Sequence, residues 1–211
     1  MDSIRTAVEI ADKAYEAVRD MIQPGISDFE IYGEVKRAVH ALGCEYSMDF
    51  IDAQGTKINF FNPRGNVLEK NGTLALEITP AFQGYHGQLA MTLPVRDYPL
   101  HIKPLLPVWR EALRAGVEAL KPGARFCDIY RRVTEVINAH GYRGHLRCGH
   151  SVGLDPLDFC ALSNDDTTEI KENVTLALHP CVALEGGEGI GMGYTYLVTN
   201  NGAKKLGRVN L

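Results

Sequence analysis

The sequence lacks most of the features that would tie a chain to nucleic acid, membrane or an oxidising compartment. It has no basic surplus: 22 lysines and arginines stand against 26 aspartates and glutamates, for a net charge of −4. That balance offers no footprint for a phosphate backbone, so no nucleic-acid partner is expected. No apolar run approaches the roughly 18 residues that cross a bilayer, so no membrane span is expected either. The cysteines (Cys44, Cys127, Cys148, Cys160 and Cys181) are odd in number and form no CxxC pair. This argues against a disulfide framework and a zinc ribbon, and for a reducing compartment. Met1 to Arg5 shows no basic stretch leading into an apolar leader, so a cytoplasmic protein is the expectation. What is present is ordinary for a globular protein: 211 residues, 45% hydrophobic and 23% charged. That is enough for one domain over 1–211 with a core that needs no staples.

The chain repeats itself. Ile4, Ala7, Val8, Ala11, Tyr15, Val18 and Ile22 have helical spacing over residues 2–22, with Asp2 or Ser3 as the expected N-cap. Pro24-Gly25 ends that helix, and Ser27-Asp28-Phe29-Glu30 reads as a capping box opening a second one that stops at Gly43. Pro24-Gly25 recurs as Pro122-Gly123, Ile31-Tyr32 as Ile129-Tyr130, and Gly43 as Gly141, each 98 residues later. Leu74-Ala75-Leu76-Glu77 recurs as Leu176-Ala177-Leu178-His179, 102 residues later. These matches predict an internal duplication, with halves at about 1–95 and 104–211. Prolines 94, 99, 104 and 107 mark a connector that is neither helix nor central strand before about residue 104. The expected architecture is α+β: two pseudo-symmetric αα-β halves, one curved antiparallel sheet, helices outside, and a ligand on the concave face. Glu77 and His179 then occupy equivalent strand positions.

Polar groups interrupt the apolar strands at four places: Glu77, Gly84-Tyr85-His86-Gly87-Gln88, the glycine-flanked His150, and His179-Pro180-Cys181. Burying ionisable groups is costly unless they are paired or ligated. A single one is most often satisfied by a neighbour; four on a duplicated scaffold point to a polar pocket.

Read in order, these motifs resemble the pita-bread family of methionine aminopeptidases, prolidases, aminopeptidase P and creatinase. The resemblance runs from Ile4-Arg5-Thr6-Ala7 and Pro24-Gly25-Ile26-Ser27-Asp28-Phe29-Glu30-Ile31, through Gly84-Tyr85-His86-Gly87-Gln88 and Gly149-His150-Ser151-Val152-Gly153-Leu154, to Leu197-Val198-Thr199-Asn200-Asn201-Gly202. It implies the pita-bread fold over nearly the whole chain, and homodimers are common in the family. It also implies a dinuclear metal site of two Asp, one His and two Glu. Here those five positions read Glu77, Gln88, His150, His179 and Gly193, so only the histidine is kept. The substrate-contacting histidine of the family is Leu157, and the histidine that precedes the first Asp is missing from Asn59 to Gly65. A dinuclear peptidase centre is therefore not expected.

Two imidazoles and one carboxylate remain. Glu77, His150 and His179 form the donor set of a mononuclear site, suited to Fe(II) first and to zinc or manganese next. Gln88 is expected to orient water or add a weak oxygen ligand, and Tyr85, His86 and Gln88 are the candidate catalytic residues. Two alternatives stand beside this reading. One is a creatinase-like, metal-independent C–N hydrolase or lyase using histidine acid/base chemistry; the other is a non-catalytic peptide-binding module. The expected partner is a small, amino-acid-like substrate in a pocket lined by Tyr85, Met91, Leu157 and Phe159. His145 and Arg147 are expected at its rim. Asp155 and Asp158 either recognise an amine or cap a turn. The glycine-rich stretch 186–193 reads as a hairpin loop and not a phosphate loop.

Overall fold

A computed structural model describes residues 1–55 and 61–210. Four helices lie outside one large sheet: α1 (Asp2–Arg19), α2 (Asp28–Ala41), α3 (Leu105–Ala119) and α4 (Phe126–Ala139). The start of α2 carries the full capping box, with the Ser27 hydroxyl accepting from the Glu30 N–H and the Glu30 carboxylate accepting from the Ser27 N–H. The start of α1 differs from expectation. Met1 is its N-cap and Asp2 its first helical residue, where the carboxylate favours the positive end of the helix dipole instead of capping it.

The strands are β1 (Tyr46–Asp52), β2 (Thr73–Phe82), β3 (Tyr85–His86), β4 (Leu89–Pro94), β5 (Arg147–Ser151), β6 (Ala161–Ser163), β7 (Thr175–Leu178), β8 (Cys181–Ala183), β9 (Gly189–Gly191), β10 (Gly193–Thr199) and β11 (Gly202–Lys205). The main antiparallel sheet runs β1-β2-β4-β10-β7-β5-β6. It is curled, with its halves meeting where β4 pairs with β10. The glycine-rich stretch forms the turn of the β8–β9 hairpin and the start of β10.

The duplication persists in three dimensions. α2 and α4 have bounds 98 residues apart. Each is preceded by a Pro-Gly turn with its glycine at positive φ, 94° at Gly25 and 86° at Gly123. Each turn is pinned in the same way, by a bridge between Ser27 and Val67 in one half and between Arg125 and Glu169 in the other.

The strands alternate as a half-buried sheet requires. Leu74, Leu76 and Ile78 of β2 and Leu176 and Leu178 of β7 join the helix-side core. Trp109 of α3 is buried there too, its indole N–H donating to the Met192 carbonyl at 2.9 Å. Ala75, Glu77 and Thr79, and then Ala177 and His179, fall on the opposite face. One row of residues crosses that face: Phe50 opposite Glu77, Glu77 opposite Ala90, Ala90 opposite Gly193. Gly193 abuts His179, whose N–H donates to the Cys148 carbonyl. The row is symmetric about Ala90 and Gly193, with Glu77 on one side and His179 on the other.

Candidate functional site

A cavity of about 330 Å³ opens on this face, within the range of single small-molecule sites. Glu77, His150, His179, His145, Arg147 and Cys181 line it together with Met48, Phe50, Phe61 and Leu157. Glu77, His150 and His179, expected to share a site, line one cavity. Each is almost fully buried, at 5% exposure for Glu77, 3% for His150 and 4% for His179. The imidazole rings of His150 and His179 meet edge to face, 5.2 Å between centroids.

Burial sets the protonation of all three. It pushes the Glu77 carboxyl up to about 7, against the neighbouring Gln88 amide and Arg147, which favour the ionised form. It pulls the His150 imidazole down to about 4, against its hydrogen bond to the Ser151 carbonyl. His179 is held well below the usual imidazole range, first by burial and then by His150 and Arg147. His145 is lowered by burial and Arg147. A carbonyl oxygen only accepts, so the 2.9 Å contact from His150 Nδ1 to the Ser151 oxygen places the proton on Nδ1. Nε2 is left as the basic atom. The Cys181 thiol is pushed by burial up to about 12, so it is no thiolate nucleophile at neutral pH.

Other expected residues fall elsewhere. Tyr85 does not reach this cavity; it lies at the outer end of the β2–β3 hairpin, opposite Phe82, and lines a separate apolar cavity with Phe159. His86 is buried against the Gly153 carbonyl and the edge of Tyr46, and is not among the lining residues. Gln88 is buried beside Glu77. Of the four expected pocket-wall residues only Leu157 serves: Met91 is in the core and Phe159 is fully exposed. The remaining wall comes from Met48 and Phe50 of β1, which alternate with the core residue Ile51, and from Phe61. Asp158 caps a turn, accepting from the Asp155 N–H at 3.3 Å. Part of the segment read as lacking the family histidine, Asn59 and Phe60, lies outside the described residues.

Position 193 is closed to a metal-binding side chain. A Cβ at position 193 would overlap the Leu178 carbonyl oxygen and His179 Cα and sit 2.6 Å from His179 Cβ. No side chain can enter there unless the strands move apart. Gln88 supplies a neutral amide where the family pattern has a carboxylate. Among the described residues no group of three or more His, Cys, Asp or Glu converges closely enough to hold an ion. The residues present do not fit a dinuclear centre. The mononuclear set of Glu77, His150 and His179 shares a cavity without converging on one point in it.

Comparison with known proteins places the chain. The model of metallopeptidase family M24 matches residues 2–200. The chain belongs to family M24. The Xaa-Pro dipeptidase of Pyrococcus furiosus is 27% identical over 98% of this M24 chain and 61% of its own length. An X-Pro aminopeptidase structure from Thermotoga maritima superposes with a TM-score of 0.91 at 18% identity, over 99% of this chain and 60% of that one. A methionine aminopeptidase structure from the same organism gives 0.80 at 21% identity, over 99% and 96%. The pita-bread fold is thereby established for this M24 member. The chain spans about 60% of the length of the curated dipeptidases it matches. No helix among the described residues is long and apolar enough to cross a membrane.

Proposed function

We propose that this M24 member is a hydrolase for a C–N bond in a small substrate, acting by acid–base catalysis at Glu77, His150 and His179 without a dinuclear centre. One observation carries the reading: Gly193 abuts His179 with no room for a donor, while three proton-handling groups line the cavity beside it. Water enters between substrate and His150. Its oxygen bonds to the carbonyl carbon as His150 Nε2 takes its proton. The C–N bond breaks as protonated Glu77 gives its proton to the leaving nitrogen. The proton on His150 then returns to Glu77, and both groups are restored. His179, edge-on to His150, orients that ring in an apolar, water-poor setting.

The test is the enzyme purified without a metal-affinity tag, dialysed against a strong chelator, and assayed on a panel of small amides. Activity should survive chelation and fall by about 10²–10⁴ in His150→Gln and in Glu77→Gln, the range that one acid or base supplies. A second reading keeps a single ion, Fe(II) before zinc or manganese, held by Glu77, His150 and His179; it is favoured by their sharing one cavity, and it requires them to draw together from positions that do not converge on one point. Such an ion would supply a Lewis acid for the carbonyl or an activated water. It predicts activity lost on chelation, restored by one equivalent of metal, and absent with the metal in His179→Ala.

A further inference from the structure

Among its described lining residues the cavity holds one permanent cation, Arg147, and one carboxyl, Glu77. Arg147 lines it, half-buried, and its side chain has no hydrogen bond or ion pair among the described residues. The remaining basic groups among its described lining residues are the imidazoles of His145, His150 and His179. Glu77 is the only acid among the described lining residues. Asp49, the nearest further carboxylate on β1, points to the other face, where it pairs with Lys36 at 2.7 Å.

The aim of Arg147 is built into the strand. Arg147 and His150 are three residues apart, and in a regular strand that spacing puts side chains on opposite faces. Here the β5–β6 register shifts between them, and a bulge of this kind re-aims a side chain. The bulge depends on Gly149, where a Cβ would overlap the Ala177 carbonyl oxygen and sit 2.8 Å from Leu162. Both Arg147 and His150 therefore face the cavity. Opposite them stands an apolar wall of Met48, Phe50 and Phe61.

We propose that Arg147 recognises a carboxylate on the substrate, and that the substrate is a small N-acylated amide acid with an apolar group, not a zwitterionic dipeptide. The proposal rests on the reading above that sets the scissile bond beside Glu77, His150 and His179. A guanidinium takes a carboxylate through two parallel hydrogen bonds. A free ammonium in the same cavity would face the like charge of Arg147, and the one carboxyl among the described lining residues, Glu77, is engaged with the scissile bond in that reading, so the ammonium would lose its water without a dedicated partner. The apolar wall takes the acyl group or the hydrophobic side chain.

Calorimetric titration with N-acetylphenylalanine, its primary amide and free phenylalanine tests this. The acid should bind at least about tenfold tighter than either other probe. Arg147→Gln should erase that preference, and Arg147→Lys, which keeps the charge but not the fork, should retain part of it. Circular dichroism verifies that each variant is folded. Equal binding of acid and amide, a preference for free phenylalanine, or no binding of any probe at about 10 mM would each overturn the proposal, as would a preference that survives in folded Arg147→Gln. His150→Gln keeps the two readings apart: it should lose hydrolysis and keep the carboxylate preference. If the preference stands but hydrolysis survives in His150→Gln or vanishes on chelation, the acid–base reading fails and the carboxylate site remains.

Discussion

Replacing Gly193 by alanine adds one methyl group, and the structure states what that group meets. Two of the obstructing atoms, the Leu178 carbonyl oxygen and His179 Cα, are backbone of the neighbouring strand, and the third is His179 Cβ. None can rotate away, so β10 and β7 must separate or β10 must shift against β4. Overpacking of a well-packed site costs about 1–3 kcal/mol, and an obstruction made of backbone belongs at the upper end. With a urea slope of roughly 2 kcal/mol/M, a loss of ~3 kcal/mol lowers the unfolding midpoint by about 1.5 M. Trp109 is a local reporter, because it is the chain's single tryptophan and its indole N–H is held by the carbonyl of Met192, next to the altered residue. Its emission should shift in the folded variant. Gly33→Ala is the control: that exposed α2 position has nothing within 4 Å of a new Cβ, and the exchange should stabilise by about 0.5–1 kcal/mol. A Gly193→Ala midpoint within about 0.25 M of the wild type, equivalent to some 0.5 kcal/mol, would refute the argument. So would Gly193→Glu that folds normally and takes up two equivalents of metal, since the missing family carboxylate could then be restored by one substitution.

Three further outcomes follow from the buried groups and the caps. The Glu77 carboxyl is raised from 4.5 to about 7 in the folded protein, so the folded state keeps a proton that the unfolded state releases, and stability falls as pH rises through that window, by ~3 kcal/mol. Glu77→Gln should remove this loss, gaining on the wild type by that order between pH 4 and pH 8 in urea midpoints. His150 shifts oppositely, from 6.5 to about 4; its contribution is complete above 6.5 and is lost as pH falls through that range, so His150→Gln should flatten the acid limb of the same stability curve. With His150 as base and Glu77 as acid, the pH profile of kcat/KM should be a bell with limbs near 4 and 7, and a profile flat from pH 5 to 9 would exclude this pair. Ser27→Ala breaks the capping box of α2 and should cost about 1 kcal/mol in thermal or urea unfolding.

The duplication was legible because its punctuation is made of residues with few alternatives. A Pro-Gly turn needs positive φ at its glycine, and Gly25 and Gly123 both have it; the helices that follow could be bounded to within a residue or two. Glu77, His150 and His179 could be set together because the 102-residue repeat gives Glu77 and His179 equivalent strand positions and the family resemblance adds His150; all three line one cavity. The case for Tyr85 rests on its motif alone, which does not say which way the side chain leaves the turn: Gln83 and Gly84 both have positive φ, the hairpin reverses, and Tyr85 emerges at its outer end. The aim of Arg147 was open to no periodicity argument, because it depends on a bulge set by the close approach of Gly149 to β7. The β1 wall was missed for want of a polar marker, although Met48 and Phe50 alternate with Asp49 and Ile51.

The symmetry of the scaffold bears directly on its chemistry. Glu77 and His179 stand at equivalent places on either side of Ala90 and Gly193, and both are withdrawn from water to nearly the same degree. An equal environment acts oppositely on an acid and a base. Burial disfavours whichever form is charged, so it raises the carboxyl and lowers the imidazoles, and near neutral pH each group tends to its uncharged form. Near neutral pH the Glu77 carboxyl, raised to about 7, is divided between its two forms, while burial favours the uncharged form of His150. A carboxylate at both equivalent positions would instead concentrate negative charge at the axis, which only cations could offset. Here one of the two positions carries an imidazole and the adjacent position is closed by glycine, so less negative charge gathers there. The same cavity thus brings together one carboxyl and two imidazoles, with Arg147 as the one permanent charge among its described lining residues.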